Sequence, residues 1–91
     1  MKKADVIKAV AARENIKKED AERFVDTFLD IITESLSRGE EVSLVGFGIF
    51  DVKVRAAHDV VDISNPSERV SVPEFKAPTF RPGKNLKEAV K

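Results

Sequence analysis

Apolar residues recur along this chain with two different periods. Val6, Ile7, Val10 and Ala11 fall on one face of a first predicted helix. Asn15 interrupts that pattern, and Ile16-Lys17-Lys18 predicts a short connection. A longer helix is predicted from about Glu19 to Arg38. Its apolar set is Ala21, Phe24, Val25, Phe28, Leu29, Ile31, Ile32 and Leu36, with Ser35 among them, a stripe wider than one small helix buries against a single neighbour. Glu19, Asp20 and Glu22 begin it, where the helix dipole favours negative charge, and Arg38-Gly39 closes it.

After Gly39 the period falls to two. Val42 and Leu44 alternate with Glu41 and Ser43 in a first predicted strand, and Gly46-Phe47-Gly48 predicts a turn. Ile49, Phe50, Val52 and Val54 predict a second strand, with Lys53 and Arg55 on its other face. Asn65-Pro66-Ser67-Glu68 predicts a turn before a third strand, in which Val70 and Val72 alternate with Arg69 and Ser71. Pro73 and Pro78 punctuate this third strand and assign it to an edge or a bulge. Pro82-Gly83 leads into a short terminal helix, Lys84 to Val90. Strands two and three run past anything two helices cover, and a two-stranded ribbon alone is marginal in water. The simplest completion is a second copy of the chain, with the helix stripe, Phe47, Phe50 and Phe80 in a shared core. The expectation is an α+β, intertwined homodimer.

Composition narrows the function classes. At 91 residues the chain suits one small domain. Its 16 Lys and Arg balance 16 Asp and Glu, so any attraction to an anionic partner comes from local arrangement. The lack of Cys removes disulfides, thiol nucleophiles and Cys-based zinc sites, and fits a reducing compartment. His58 is the one imidazole, and its neighbours Asp59-Val60-Val61-Asp62 resemble a loop or strand; a zinc site usually needs three or four N or S ligands. No apolar run of about 18 residues is present, and Met-Lys-Lys-Ala-Asp-Val has no apolar segment of a secretory signal behind it. The expectations are a non-enzyme in the cytoplasm, with no cofactor, metal, small-molecule substrate or membrane partner.

Gly46-Phe47-Gly48-Ile49-Phe50 through Arg55-Ala56-Ala57, and Pro78-Thr79-Phe80-Arg81-Pro82-Gly83-Lys84-Asn85-Leu86-Lys87, closely resemble the HU/IHF family of bacterial DNA-architectural proteins. Lys3-Ala4-Asp5-Val6-Ile7 and the second-helix pattern extend the resemblance over nearly the whole chain. It implies a single domain, 1–91: a helical dimerisation part, 1–39, then a β saddle, 40–91, with a β-ribbon arm at about 56–72 and the C-terminal helix. The sheet is expected to be three-stranded and antiparallel. The implied partner is double-stranded DNA, bound in the minor groove with little sequence specificity and bent by a wedge residue on each arm. The implied location is the nucleoid, and a paralogue completing a heterodimer is compatible with this pattern.

Lys3, Gly46, Lys53 and Arg55 are the implied DNA contacts on the body and saddle, with Lys76, Arg81, Lys84 and Lys87 further along the chain. Ile63, Asn65, Pro66 and Arg69 are those on the arm. Lys53 and Arg55 also read as the solvated face of an amphipathic strand, and Arg81, Lys84 and Lys87 as a cation-rich helix end. Gly46 and Gly48 are turn glycines before they are phosphate contacts. Phe47, Phe50 and Phe80 read as core.

The arm departs from the family. Its usual basic run after Arg-Ala-Ala is replaced by His58-Asp59-Val60-Val61-Asp62-Ile63-Ser64-Asn65-Pro66. Between His58 and Val72 one Arg stands against Asp59, Asp62 and Glu68. Counting forward from Arg55-Ala56-Ala57 puts Ile63 at the wedge position, and counting back from Pro73 puts Ser64 there; Asn65-Pro66 comes three residues late. An acidic arm is repelled by phosphates, and Val60, Val61 and Ile63 make an apolar patch suited to a protein partner. The alternative expectation is the same dimeric fold with arms for a protein or a specialised DNA structure.

Overall fold

The computed structural model describes residues 1–61, 64–65 and 67–91. Two helices come first, α1 (Lys3–Glu14) and α2 (Lys18–Ser37). The carboxylate of Asp5 accepts the Lys2 backbone N–H at 2.9 Å and caps the start of α1. Asn15 ends α1 in the left-handed region, φ 54°, a conformation its short polar side chain tolerates. The second helix begins and ends one residue before the predicted bounds, because Lys17 and Arg38 take the cap positions. Gly39 follows at φ 77°, the left-handed stop a glycine makes without strain.

Five strands follow: β1 (Val42–Leu44), β2 (Gly48–Arg55), β3 (His58–Val61), β4 (Arg69–Val72) and β5 (Phe75–Pro82). The antiparallel order β1-β2-β5 forms one sheet, and β3-β4 forms a separate ribbon. The predicted third strand is thus two strands. Pro73 separates β4 from β5, while Pro78 stands inside β5, opposite Val52. Its missing N–H is tolerated because β5 is an edge of the sheet. A last helix, α3 (Lys84–Ala89), closes the chain, with Val90 as its cap rather than its last residue.

Gly48 does not belong to the turn as predicted; it opens β2. A Cβ there would lie 2.6 Å from the Phe80 ring and 2.7 Å from the Arg81 carbonyl oxygen. Packing therefore demands glycine at this position. Gly46 differs: it sits in the turn at φ 87°, and a Cβ there would meet nothing closer than the Asn85 side chain at 3.8 Å. The Phe80 ring rests 4.7 Å from that of Phe50 and 5.4 Å from that of Phe47, a small aromatic cluster across β2, β5 and the β1–β2 turn in which Phe47 and Phe80 stay exposed in the single chain. The Gly83 N–H donates to the Phe47 carbonyl at 2.8 Å and ties the start of α3 to the β1–β2 turn.

Among the described residues only three apolar side chains are buried in the chain: Ile7, Ala21 and Ile32. Phe24, Phe28, Leu29 and Ile31 of α2 are exposed, and an apolar groove of about 510 Å³ runs between α1 and α2, lined by Val6, Val10, Phe24, Val25, Phe28 and Leu29. The Cα radius of gyration is 18.8 Å, against about 12 Å for a compact chain of this length. Such a chain leaves its apolar helix face for something else to cover.

Candidate nucleic-acid interface

The β2–β5 register sorts the cations. Val52 pairs with Pro78, Lys53 with Ala77, Val54 with Lys76, and Arg55 with Phe75. Because side chains alternate, Phe50, Val52 and Val54 share a face with Lys76, Pro78 and Phe80. That face meets α2: Val52, Lys76 and Pro78 line a groove with Thr33, Leu36 and Ser37. The other face carries Asp51, Lys53 and Arg55 with Phe75, Ala77, Thr79 and Arg81. Lys53 and Arg55 are exposed on this outward face, and neither forms an ion pair among the described residues. Lys76, another implied DNA contact, lies on the opposite face.

Arg81 shares the outward face but is not free. Its Nη2 lies 3.2 Å from the Asp51 carboxylate and 3.6 Å from that of Glu41. Lys84 and Lys87 follow on exposed positions of α3, with no ion pair among the described residues. Lys3 belongs to the helical layer, at the rim of the α1–α2 groove. Its ammonium is 2.6 Å from Asp26, and hydrogen bonding to that carboxylate, then its charge, holds the Lys3 pKa above its ordinary value. Gly46 sits in the β1–β2 turn, where its positive φ of 87° favours glycine.

The ribbon projects from the end of the sheet. His58 pairs with Val72, Asp59 with Ser71, Val60 with Val70, and Val61 with Arg69. One face therefore carries Val60, Val70 and Val72 with His58, and the other carries Asp59, Ser71, Val61 and Arg69. All except the half-buried Val72 are exposed. His58 Nδ1 is 3.0 Å from the Ala56 carbonyl oxygen, at the root of the ribbon. Near the tip, Asn65 accepts the Glu68 N–H at 3.0 Å on its backbone carbonyl and the Ser67 hydroxyl at 2.8 Å on its side chain. Asn65 is thus engaged in a turn. The two wedge candidates, Ile63 and Pro66, lie outside the described residues. No group of metal-ligating side chains occurs among the described residues, and no described helix is long and apolar enough to cross a membrane.

A cationic outward sheet face, continued by a projecting two-stranded ribbon, is the backbone arrangement expected from the HU/IHF resemblance. The family model for bacterial DNA-binding proteins matches residues 1–91. The chain belongs to this family. It is 46% identical over 93 aligned positions to the DNA-binding protein HU of Thermotoga maritima, and 45% identical to that of Geobacillus stearothermophilus, with both chains covered in full in each case. Among solved structures, the Anabaena HU–DNA cocrystal matches with a TM-score of 0.92 at 32% identity, over 99% of this chain and 97% of that one. A Thermotoga maritima HU mutant gives 0.74 at 37% identity, over the whole of both chains. The fold is the HU fold, and membership of a DNA-binding family sets aside the enzyme reading. The α2 stripe was legible in the sequence, and Phe47, Phe50 and Phe80 do meet, although Phe47 and Phe80 are exposed in the single chain. The roles of Asp51 and Glu41 were not, because a cross-strand ion pair leaves no local pattern.

Proposed function

We propose that this chain is an architectural protein of the nucleoid that binds duplex DNA as a homodimer with little sequence specificity. The single domain, 1–91, divides its labour: residues 1–39 dimerise, residues 40–91 form the saddle, and the arms at about 56–72 follow the minor groove and bend the duplex. The observation that supports this best is the backbone path, which follows that of an HU chain crystallised with DNA. Dimerisation draws its support from the uncovered apolar face of α1 and α2.

Docking begins with Lys53 and Arg55, two exposed cations on one sheet face, joined by Lys84 and Lys87 of α3. Cations that neutralise phosphates release the counterions condensed on DNA. Bending then requires an apolar side chain of the arm to enter a base step, at a cost of a few kcal/mol that wrapping offsets. With one Arg against three carboxylates, the arm adds little to the electrostatic part.

Band shifts with linear, nicked and four-way-junction DNA at two salt concentrations test this reading. If about four to six phosphates are engaged, log affinity falls with log salt at a slope of about −4 to −5. Lys53→Ala with Arg55→Ala weakens binding to all sequences alike and flattens the slope by about two. Salt-insensitive binding removes the docking mechanism. A second reading, with arms that meet a protein partner, is favoured by the exposed Val60 and Val70 beside Asp59. It takes over if the parent binds DNA without bending it.

A further inference from the structure

The outward β2–β5 face holds three cations and one carboxylate, and that carboxylate is fixed on one of the cations. Asp51 is the direct cross-strand partner of Thr79, and Arg81 stands two residues beyond on the same face. One Asp51 oxygen accepts the Thr79 hydroxyl and the other lies 3.2 Å from Arg81 Nη2. Glu41, immediately before β1, approaches the same nitrogen to 3.6 Å.

We propose that Asp51, assisted by Glu41, sets the saddle's affinity for duplex DNA and its salt dependence by holding Arg81 away from phosphate. This rests on the DNA-binding reading above and adds to it a pair of residues that limit binding. The sheet register places Asp51, so the contact does not depend on a chance side-chain encounter. With its side chain only 17% exposed, Asp51 is screened by salt less than a fully solvated carboxylate. Both of its oxygens are occupied, which leaves it no reason to swing aside. Arg81 and its two carboxylates together carry a net charge of −1, whereas Lys53 and Arg55 are unpaired among the described residues. A phosphate approaching the Arg81 guanidinium therefore meets two carboxylates within 4 Å of its Nη2. It either stays away, so that the face yields one contact fewer than its cations suggest, or displaces them and gains less from the contact than at an unpaired cation.

The test measures anisotropy of a labelled duplex across a tenfold range of salt, with the full-length parent and its variants. Asp51→Asn keeps a partner for Thr79 and releases Arg81; it tightens binding about five- to tenfold at the low-salt end and steepens the slope by about one. Glu41→Gln does the same to a smaller extent, and Asp51→Glu retains the parent slope. Arg81→Ala weakens the parent, because it leaves two unneutralised carboxylates on the face, and it removes the whole gain in the Asp51→Asn background. If Asp51→Asn lowers the melting temperature enough to confuse the comparison, Glu41→Gln, at a half-exposed side chain, decides by the same slope. Unchanged affinity and slope in Asp51→Asn and Glu41→Gln, with a parent that binds salt-dependently, overturn this inference and leave the DNA-binding reading standing. A parent that does not bind duplex at low salt overturns both.

Discussion

Phe28→Ala is the sharpest probe of how this chain completes its core. Phe28 is 49% exposed in the single chain, on the rim of the apolar groove between α1 and α2. A buried phenylalanine removes about 200 Å² from water, so about 100 Å² at Phe28 awaits a partner. At about 25 cal/mol per Å² this amounts to about 2.5 kcal/mol for each copy. In a two-fold dimer the same patch occurs on both subunits, so the change removes about 5 kcal/mol from one interface. Each 1.4 kcal/mol is tenfold, and the dimer dissociation constant is expected to rise by about three to four orders of magnitude. Sedimentation equilibrium at micromolar protein reads the mass directly. Helical signal on heating, followed at several concentrations, reads the coupling of folding to association: the parent melts at a concentration-dependent temperature, and Phe28→Ala melts earlier. Val45→Ser is the control, because Val45 is fully exposed in the β1–β2 turn and touches neither the groove nor the sheet faces. A parent that sediments as a folded monomer would refute the reasoning, as would a Phe28→Ala protein with the mass and melting behaviour of the parent.

Three further outcomes are expected. Gly48→Ala forces a methyl into the Phe80 ring and the Arg81 carbonyl and costs about 1–3 kcal/mol by overpacking, measurable by urea unfolding; wild-type stability would show that β5 yields freely. Lys76→Ala leaves the salt slope of DNA binding unchanged, because its face meets α2; a slope flattened as much as by Lys53→Ala would place Lys76 on the DNA side. Ring closure or energy transfer between duplex ends separates the wedge candidates: loss of bending in Ile63→Ser alone supports the register argument, and loss in Pro66→Ala alone supports chemical identity with the family.

The elements were legible where a pattern is local. The alternation of Phe50, Val52 and Val54 with Lys53 and Arg55 fixes which side chains share a face, and the structure keeps that grouping. The over-wide α2 stripe foretold the exposed Phe24, Phe28 and Ile31. What stayed hidden depends on residues far apart in the chain. Gly48 reads as a turn glycine until Phe80, 32 residues later, is laid against it. Lys76 reads as one more DNA-contacting cation until the β2–β5 register puts it on the face that meets α2. Arg81 reads as a free cation until Asp51 arrives from β2 and Glu41 from the position before β1. In the arm, Arg69–Val72 was legible from the alternation of Val70 and Val72 with Arg69 and Ser71, whereas His58–Val61, exposed throughout, read only as a loop or strand.

The two prolines of β5 bear on what the folded protein avoids. Pro78 and Pro82 are four residues apart, so their nitrogens point to the same side of the strand, away from β2. That side is the open border of the sheet, where a row of bare amides would invite a strand from another molecule. Of the four nitrogens on that border, at Lys76, Pro78, Phe80 and Pro82, two have no hydrogen to give. No foreign strand can zip along it in continuous register. The folded chain thus carries, in its own backbone, a guard against fibrous self-association.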